Sequence, residues 1–299
     1  MPHPSITAET YPHKPAFIMG ASGEMVTYRQ LDERSNQAAQ LFRSLGLKSG
    51  DHIGMMLENN RQFLEIIWAA QRSGIIYTPI STHLKKDETA YILENCGATM
   101  FIGSHALAEV AEELIAEPGS VEHFYMVGGI RPGFESWEEA TDRQPAERIA
   151  DECNGAAMLY SSGTTGKPKG IFVAEYDQDV NTPPMLVPSI GVLFGFGEET
   201  VYLSPAPLYH AAPLHYNMMA IYNGGTSIIM EKYDARLALK LIEEHRVTHS
   251  QWVPIMFSRM LKLPREVREA YDMSSMQVAI HAAAPCPIDV KEKMIDWWG

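Results

Sequence analysis

Tyr160-Ser161-Ser162-Gly163-Thr164-Thr165-Gly166-Lys167-Pro168-Lys169-Gly170 gathers three glycines, four serine and threonine hydroxyls and two lysines in one short stretch. Glycine lets backbone N–H groups approach an anion in conformations that a Cβ forbids, and hydroxyls add donors. Lysine brings positive charge to where phosphoryl chemistry develops negative charge. The stretch therefore reads as a cradle for a triphosphate. The P-loop of ordinary nucleotidases is a different object, requiring G-x-x-x-x-G-K-[ST] with a hydroxyl after the lysine to hold magnesium. Here Gly163 and Gly166 stand too close together, and Lys167 is followed by Pro168. A Gly/Ser/Thr-rich surface turn is the bland alternative, and the length of the string weighs against it.

The run Ala156 to Tyr160, just before the cradle, predicts a strand, and α/β sheets place their ligands at the carboxyl ends of strands. Upstream, helices and strands alternate. Leu31, Ala38, Phe42 and Leu45 recur at helical spacing from Thr27 to Leu47, with Gly46 where a helix ends. A strand at Ile53 to Leu57, a helix bearing Phe63, Ile66, Ile67 and Ala70, and a strand at Ile75 to Ile80 follow. Further along come a helix over Lys85 to Glu94, a strand at Thr99 to Ile102, a helix over Ala106 to Ile115 and a strand at Phe124 to Val127. Residues Gly128 to Asn154 read as a surface connection with one short helix.

Downstream, Asp177 to Pro188 looks irregular. Alternation then resumes with strands at Thr200 to Leu203, Thr226 to Met230, Thr248 to Val253 and Gln277 to Ala282. Helices lie between and after them at Leu214 to Tyr222, at Ala235 to His245 behind the cap Asp234, and at Ile288 to Trp298. Such alternation favours parallel-rich sheets flanked by helices, an α/β protein. Two α/β subdomains, about 1–150 and 151–299, are expected.

Composition narrows the partners. With 299 residues, 45% hydrophobic and 20% charged, the chain has the makeup of a soluble globular protein with a sizeable core. Its formal charge of −13 argues against nucleic acid or an anionic membrane surface as the main partner. Cys96, Cys153 and Cys286 are widely spaced, with no zinc pattern or disulfide framework, and a reducing cytoplasm is expected. The start lacks the apolar core of a signal peptide. The most apolar run, Phe63 to Ile80, is broken by Gln71 and Arg72, so no transmembrane segment is expected.

Position by position, the glycine-rich stretch resembles the signature of the adenylate-forming enzymes: acyl- and aryl-CoA synthetases, luciferases and the adenylation domains of peptide synthetases. Val26-Thr27-Tyr28-Arg29-Gln30-Leu31 resembles the early T-Y-x-x-L segment of that family, and Gly74-Ile75-Ile76-Tyr77-Thr78-Pro79-Ile80 the next. Pro207-Leu208-Tyr209-His210-Ala211-Ala212-Pro213 is similar to the segment lining the acyl pocket, and His281-Ala282-Ala283-Ala284-Pro285 to the one beside adenine. The resemblance covers nearly the whole chain and is closest to bacterial fatty-acyl-CoA and related acyl-CoA synthetases.

The resemblance implies the N-terminal large domain of the adenylate-forming fold and a ligase of fatty acid or other lipid metabolism. In such enzymes a carboxylate attacks the α-phosphate of ATP, giving an acyl-adenylate and pyrophosphate, and the thiol of coenzyme A then displaces AMP. An anion meets a polyanion, so charge neutralisation and positioning carry the catalysis. By resemblance Ser161, Ser162, Gly163, Thr164, Thr165 and Gly166 hold the β- and γ-phosphates, and Lys169 contributes charge. Magnesium bridges phosphates and keeps several waters; Thr165 is one candidate hydroxyl beside it, and the four hydroxyls are not distinguished.

His210 is expected to orient the carboxylate or gate the acyl pocket. Trp252, Val253 and Pro254 end a predicted strand, where they line an acyl tunnel or simply pack in the core. Ala283, Ala284 and Pro285 are expected beside the adenine ring, with His281 at the pocket floor. Many relatives carry glycine or serine where His281 and Ala282 stand, which bears on the substrate. Cys286 reads as a small buried thiol.

The family continues with a Y-x-x-T-E segment, an aspartate for the ribose and a small C-terminal domain with a catalytic lysine. None has a counterpart here, so the resemblance implies a large domain incomplete at its C-terminus and inactive alone. The alternative is a non-catalytic ATP- or acyl-binding short protein of the same fold. A homodimer is compatible with either reading.

Overall fold

Local chemistry starts and stops the helices where the sequence signals them. The Thr27 hydroxyl accepts from the Gln30 amide while the Gln30 side chain accepts from the Thr27 amide, a capping box at the head of a helix over Tyr28–Ser44. Asn60 and Asp234 cap helices at Arg61–Arg72 and Ala235–His245 in the same way, through side-chain oxygens. Gly97, left-handed at φ 68°, ends the helix Lys86–Cys96.

A computed structural model describes residues 3–161, 167–182 and 186–299. The chain opens with α1 (Pro4–Thr10), β1 (Pro15–Met19), β2 (Met25–Thr27) and α2 (Tyr28–Ser44). Alternation follows through β3 (His52–Met56), α3 (Arg61–Arg72), β4 (Ile76–Pro79), α4 (Lys86–Cys96), β5 (Ala98–Ser104), α5 (Ala108–Ile115) and β6 (His123–Val127). The connection after β6 holds β7 (Glu135–Ser136) and α6 (Trp137–Asp142), and then β8 (Ala156–Ser161) and β9 (Lys169–Phe172) flank the glycine-rich stretch. Next come α7 (Leu186–Phe194), β10 (Val201–Ser204), α8 (Ala211–Tyr222), β11 (Thr226–Ile229), α9 (Ala235–His245) and β12 (His249–Trp252). The last elements are α10 (Pro254–Leu261), α11 (Arg265–Arg268), β13 (Val278–His281) and α12 (Ile288–Trp298).

The strands form two sheets. Seven run in the order β7-β6-β5-β3-β4-β8-β9, and six in the order β13-β12-β10-β11-β1-β2. Pairing is parallel throughout, except for the hairpin neighbours β8/β9 and β1/β2. The sheets do not divide at residue 150. Strands β1 and β2 join the downstream sheet through β11, and β8 and β9 stay with the upstream strands.

A single buried cluster links the two sheets through α2, α3 and α8. The Trp68 and Tyr222 rings meet edge to face at 4.7 Å, and the Tyr77 hydroxyl lies 3.5 Å from the Met218 sulfur. Tyr28 donates its hydroxyl into the turn after α8, to Gly225 O at 2.6 Å, so its polar end is satisfied in the core. Helix α3 is buried continuously from Phe63 to Arg72, so its polar residues Glu65, Gln71 and Arg72 are enclosed along with its apolar stripe. It ends in the fully buried Arg72, which is paired with Asp32 at 2.9 Å and Glu152 at 2.7 Å.

The expected helices and strands are present, several shifted by a residue or two. The periodicity did not announce α1, the β1/β2 hairpin, β9, α7 or α10. Residues from Leu186 expected to be irregular belong to α7, where Pro188 falls in the first turn and its missing N–H breaks no helical bond.

Candidate active site

Two antiparallel strands, β8 and β9, flank the glycine-rich stretch. Ser161, the last residue of β8, faces Lys169, the first of β9, and Tyr160 faces Gly170. Ser161 and Lys169 are both exposed, so a donor and a cation flank the mouth of the turn. The Lys167 ammonium lies over the Tyr91 ring at 4.9 Å, and the Tyr160 hydroxyl donates to Asn95 Oδ1 at 2.6 Å; helix α4 thus braces both sides of the turn. Ser162, Gly163, Thr164, Thr165 and Gly166 lie outside the described residues.

At the carboxyl end of β10 the chain turns through Pro205–Tyr209 before entering α8, with His210 at its N-cap position. The His210 amide donates to Pro207 O at 3.2 Å, and its carbonyl accepts from Leu214 N at 3.1 Å. The ring lies against Tyr209 at 4.5 Å, and the residue is exposed to solvent. Partial burial, and then the neighbouring His83, push its pKa below the usual imidazole value. A neutral ring is therefore favoured at neutral pH, suited to donating or accepting one hydrogen bond. His83, from the segment after β4, has no spacing motif that would have marked it in the sequence.

The third part lies at the carboxyl ends of β12 and β13. Trp252 and His281 are register partners, and Ala282 N continues the ladder to Trp252 O at 3.1 Å. Ala283 then adopts φ 71°, a left-handed conformation that costs an L-residue energy. Ala283, Ala284 and Pro285 are exposed, and His281 is half-buried beside Phe257.

Trp252 packs in the core of the downstream sheet. It is fully buried, with its ring at 5.8 Å from Phe257 and 5.7 Å from Trp298, and its Nε1–H donates to Ser250 Oγ. Val253 is half-buried at the start of α10, and Pro254 is buried in its first turn. Cys286 is half-buried rather than enclosed. Among the described residues, no group of three or more His, Cys, Asp or Glu side chains is placed to hold a metal, and no helix is long and apolar enough to cross a membrane.

Comparison with known proteins agrees with this fold. The sequence model described as AMP-binding enzyme matches residues 5–299. A crotonobetaine/carnitine–CoA ligase of Escherichia coli is 26% identical over 273 residues, covering 86% of this chain and 51% of the relative. The chain thus spans about half the length of the curated relatives it matches. Among solved structures, the inhibitor-bound N-terminal domain of FACL13 from Mycobacterium tuberculosis superposes with a TM-score of 0.83 at 25% identity, covering 99% of this chain and 73% of that one. A long-chain-fatty-acid CoA ligase described as putative, from Rhodopseudomonas palustris, gives a TM-score of 0.83 at 20% identity, over 98% of this chain and 71% of that one. It supports the fold.

Proposed function

Because the chain belongs to the AMP-binding enzyme family, we propose that the whole protein activates a hydrophobic carboxylic acid with ATP and transfers the acyl group to coenzyme A. The observation that carries this reading is the antiparallel pairing that sets Ser161 against Lys169 at the two ends of the glycine- and hydroxyl-rich stretch. The acid's carboxylate oxygen forms a bond to the α-phosphorus, pyrophosphate leaves, and the thiol sulfur then replaces AMP at the acyl carbon. The turn binds and orients the triphosphate, and magnesium, when bound, screens its charge. Lys169 offsets negative charge as pyrophosphate departs. His210, neutral at working pH, orients the carboxylate through one hydrogen bond or gates the acyl pocket. Ala283, Ala284 and Pro285 offer backbone beside adenine, and His281, Val253 and Pro254 stand at the acyl side. The cytoplasm is the compartment that supplies ATP and coenzyme A together.

The proposed acid is medium or long and aliphatic, or bulky and ring-bearing, with each buried methylene adding about 0.8 kcal/mol. The names of the curated relatives make crotonobetaine and carnitine the necessary competitors in a test. Acid-dependent exchange of labelled pyrophosphate into ATP, run on the whole protein with acetate, octanoate, palmitate, benzoate, crotonobetaine and carnitine, decides. Octanoate or palmitate in the lead is the expected result. A flat, acetate-led or carnitine-led profile overturns the proposed substrate class, and no exchange with any acid favours the non-catalytic binding protein. The 299-residue chain alone is expected to give no thioester; repeated turnovers by it would overturn the proposed division of labour between domains.

A further inference from the structure

The turn between β3 and α3 is anchored on three sides. Glu58 accepts from Ser104 Oγ at the end of β5 and from Asn60 Nδ2 at 3.2 Å, and Asn60 Oδ1 accepts from Phe63 N at 3.0 Å, capping α3. Asn59 stands between them, 6% exposed, and its side chain turns away from its own sheet. Its Nδ2 donates to Ala206 O at 3.1 Å and Met230 O at 2.8 Å, and its Oδ1 accepts from Leu208 N at 2.8 Å. All three partners are backbone groups just beyond the carboxyl ends of β10 and β11, in the other sheet. A carboxamide is the group that supplies two donors and an acceptor on one planar fork. Aspartate lacks the donors and leucine lacks everything.

The strand that leads into the same segment has its own anchor. Asn217, buried on α8, donates to Ser204 Oγ at 2.7 Å and Pro213 O at 2.7 Å. The end of β10, from which residues 205–210 set out, is therefore tied to α8, and Asn59 holds the segment itself at Ala206 and Leu208. His210 follows Leu208 by two residues, and its only backbone donation is the weaker 3.2 Å contact to Pro207.

We propose that Asn59 is a positioning residue: it locks the 205–210 segment to the upstream sheet and so holds His210 at the place where the carboxyl ends of the two sheets meet. Its bearing on acid activation rests on the function proposed above; the clamp itself does not. Every bond it makes crosses between sheets, so the clamp sets the gap between them as well as the turn.

Nuclear magnetic resonance on the 299-residue chain tests this without substrate. In the unmodified protein, the Asn59 Nδ2 protons are expected to exchange slowly and to show cross-relaxation with the Leu208 amide; fast exchange with no such contact overturns the clamp. In Asn59→Ala, exchange at Leu208 should rise about tenfold or more, while Leu203 and Ile228, within the strands, stay within about threefold. The His210 titration should move up toward the ordinary imidazole value as its enclosure loosens. Equal acceleration at all three amides, or none, shows a role in stability alone and overturns the proposal. Asn59→Asp gives an independent measurement: its ionised carboxylate opposes two carbonyls, so Leu208 protection should be low at neutral pH and recover on acidification, when the protonated acid donates again. Flat protection across that range counts against the clamp. In the whole protein, Asn59→Ala should raise KM for the acid more than KM for ATP. If pyrophosphate exchange is absent altogether, the ligase reading fails while the exchange and titration data still decide the clamp.

Discussion

Lys169 and Ala283 enter the proposed function in opposite ways, one through a side chain and one through backbone shape. Lys169 heads β9, exposed and opposite Ser161, where its charge is free to meet a phosphate. Lys169→Ala in the whole protein should slow adenylate formation by about a hundredfold, the loss typical of one preorganised transition-state donor. Pyrophosphate exchange at saturating ATP reads it, and an unchanged rate in a folded variant removes Lys169 from the mechanism. Ala283 holds φ 71°, which an L-residue adopts at a cost and glycine adopts freely. Ala283→Gly should therefore leave stability unchanged or raise it by up to about 1 kcal/mol, the relief of strain being partly offset by a more flexible unfolded chain. A thermal melt checks it. A clear loss would mean that the alanine methyl makes contacts worth more than the strain.

At the scale of elements, β12, α10 and α12 form a small aromatic core around Trp252, Phe257 and Trp298. Trp252→Ala removes a fully buried ring and should cost about 3–5 kcal/mol, enough to unfold a marginal protein. Denaturant unfolding of the variant tests this against the tunnel-lining reading, under which stability would hold and only acid preference would change. The sequence placed Trp252 at a strand end but left its face undecided. Alternation along a strand says that neighbours point to opposite sides; which side is core depends on helices that arrive later in the chain. The same limit explains β9. Its four residues are all exposed, so no burial pattern marked it, and only pairing with β8 makes it a strand.

The whole molecule carries a pH dependence built from histidines that folding screens from water to different degrees. His3, His52, His210, His215 and His249 all have pKa values lowered from the usual 6.5, with burial as the leading cause. His3 is the extreme case, enclosed with Arg72 and Arg148 adding to the effect. The unfolded chain takes up a proton near the usual value while the folded protein resists it, so the unfolded state binds more protons as pH falls. Stability is therefore expected to be flat above about pH 7.5 and to decline steadily toward about pH 5.5. Urea midpoints across that range check the sign; a midpoint that rises on acidification would mean that these rings are charged in the folded protein.

From the sequence alone came the βα alternation, the capped starts of α2 and α9, the strand leading into the glycine-rich stretch, and the motifs that resemble one family along nearly the whole chain. All are local: a cap, a helical stripe or a turn is decided by residues a few positions apart. Tertiary structure alone decided that β1, near the chain's start, pairs with β11, that His83 stands near His210, and that Asn59 reaches Ala206, Leu208 and Met230. Those contacts join residues far apart in the chain. Their partners are chosen by how two sheets pack around α2, α3 and α8, and that packing is a property of the assembled core that no short window of sequence contains.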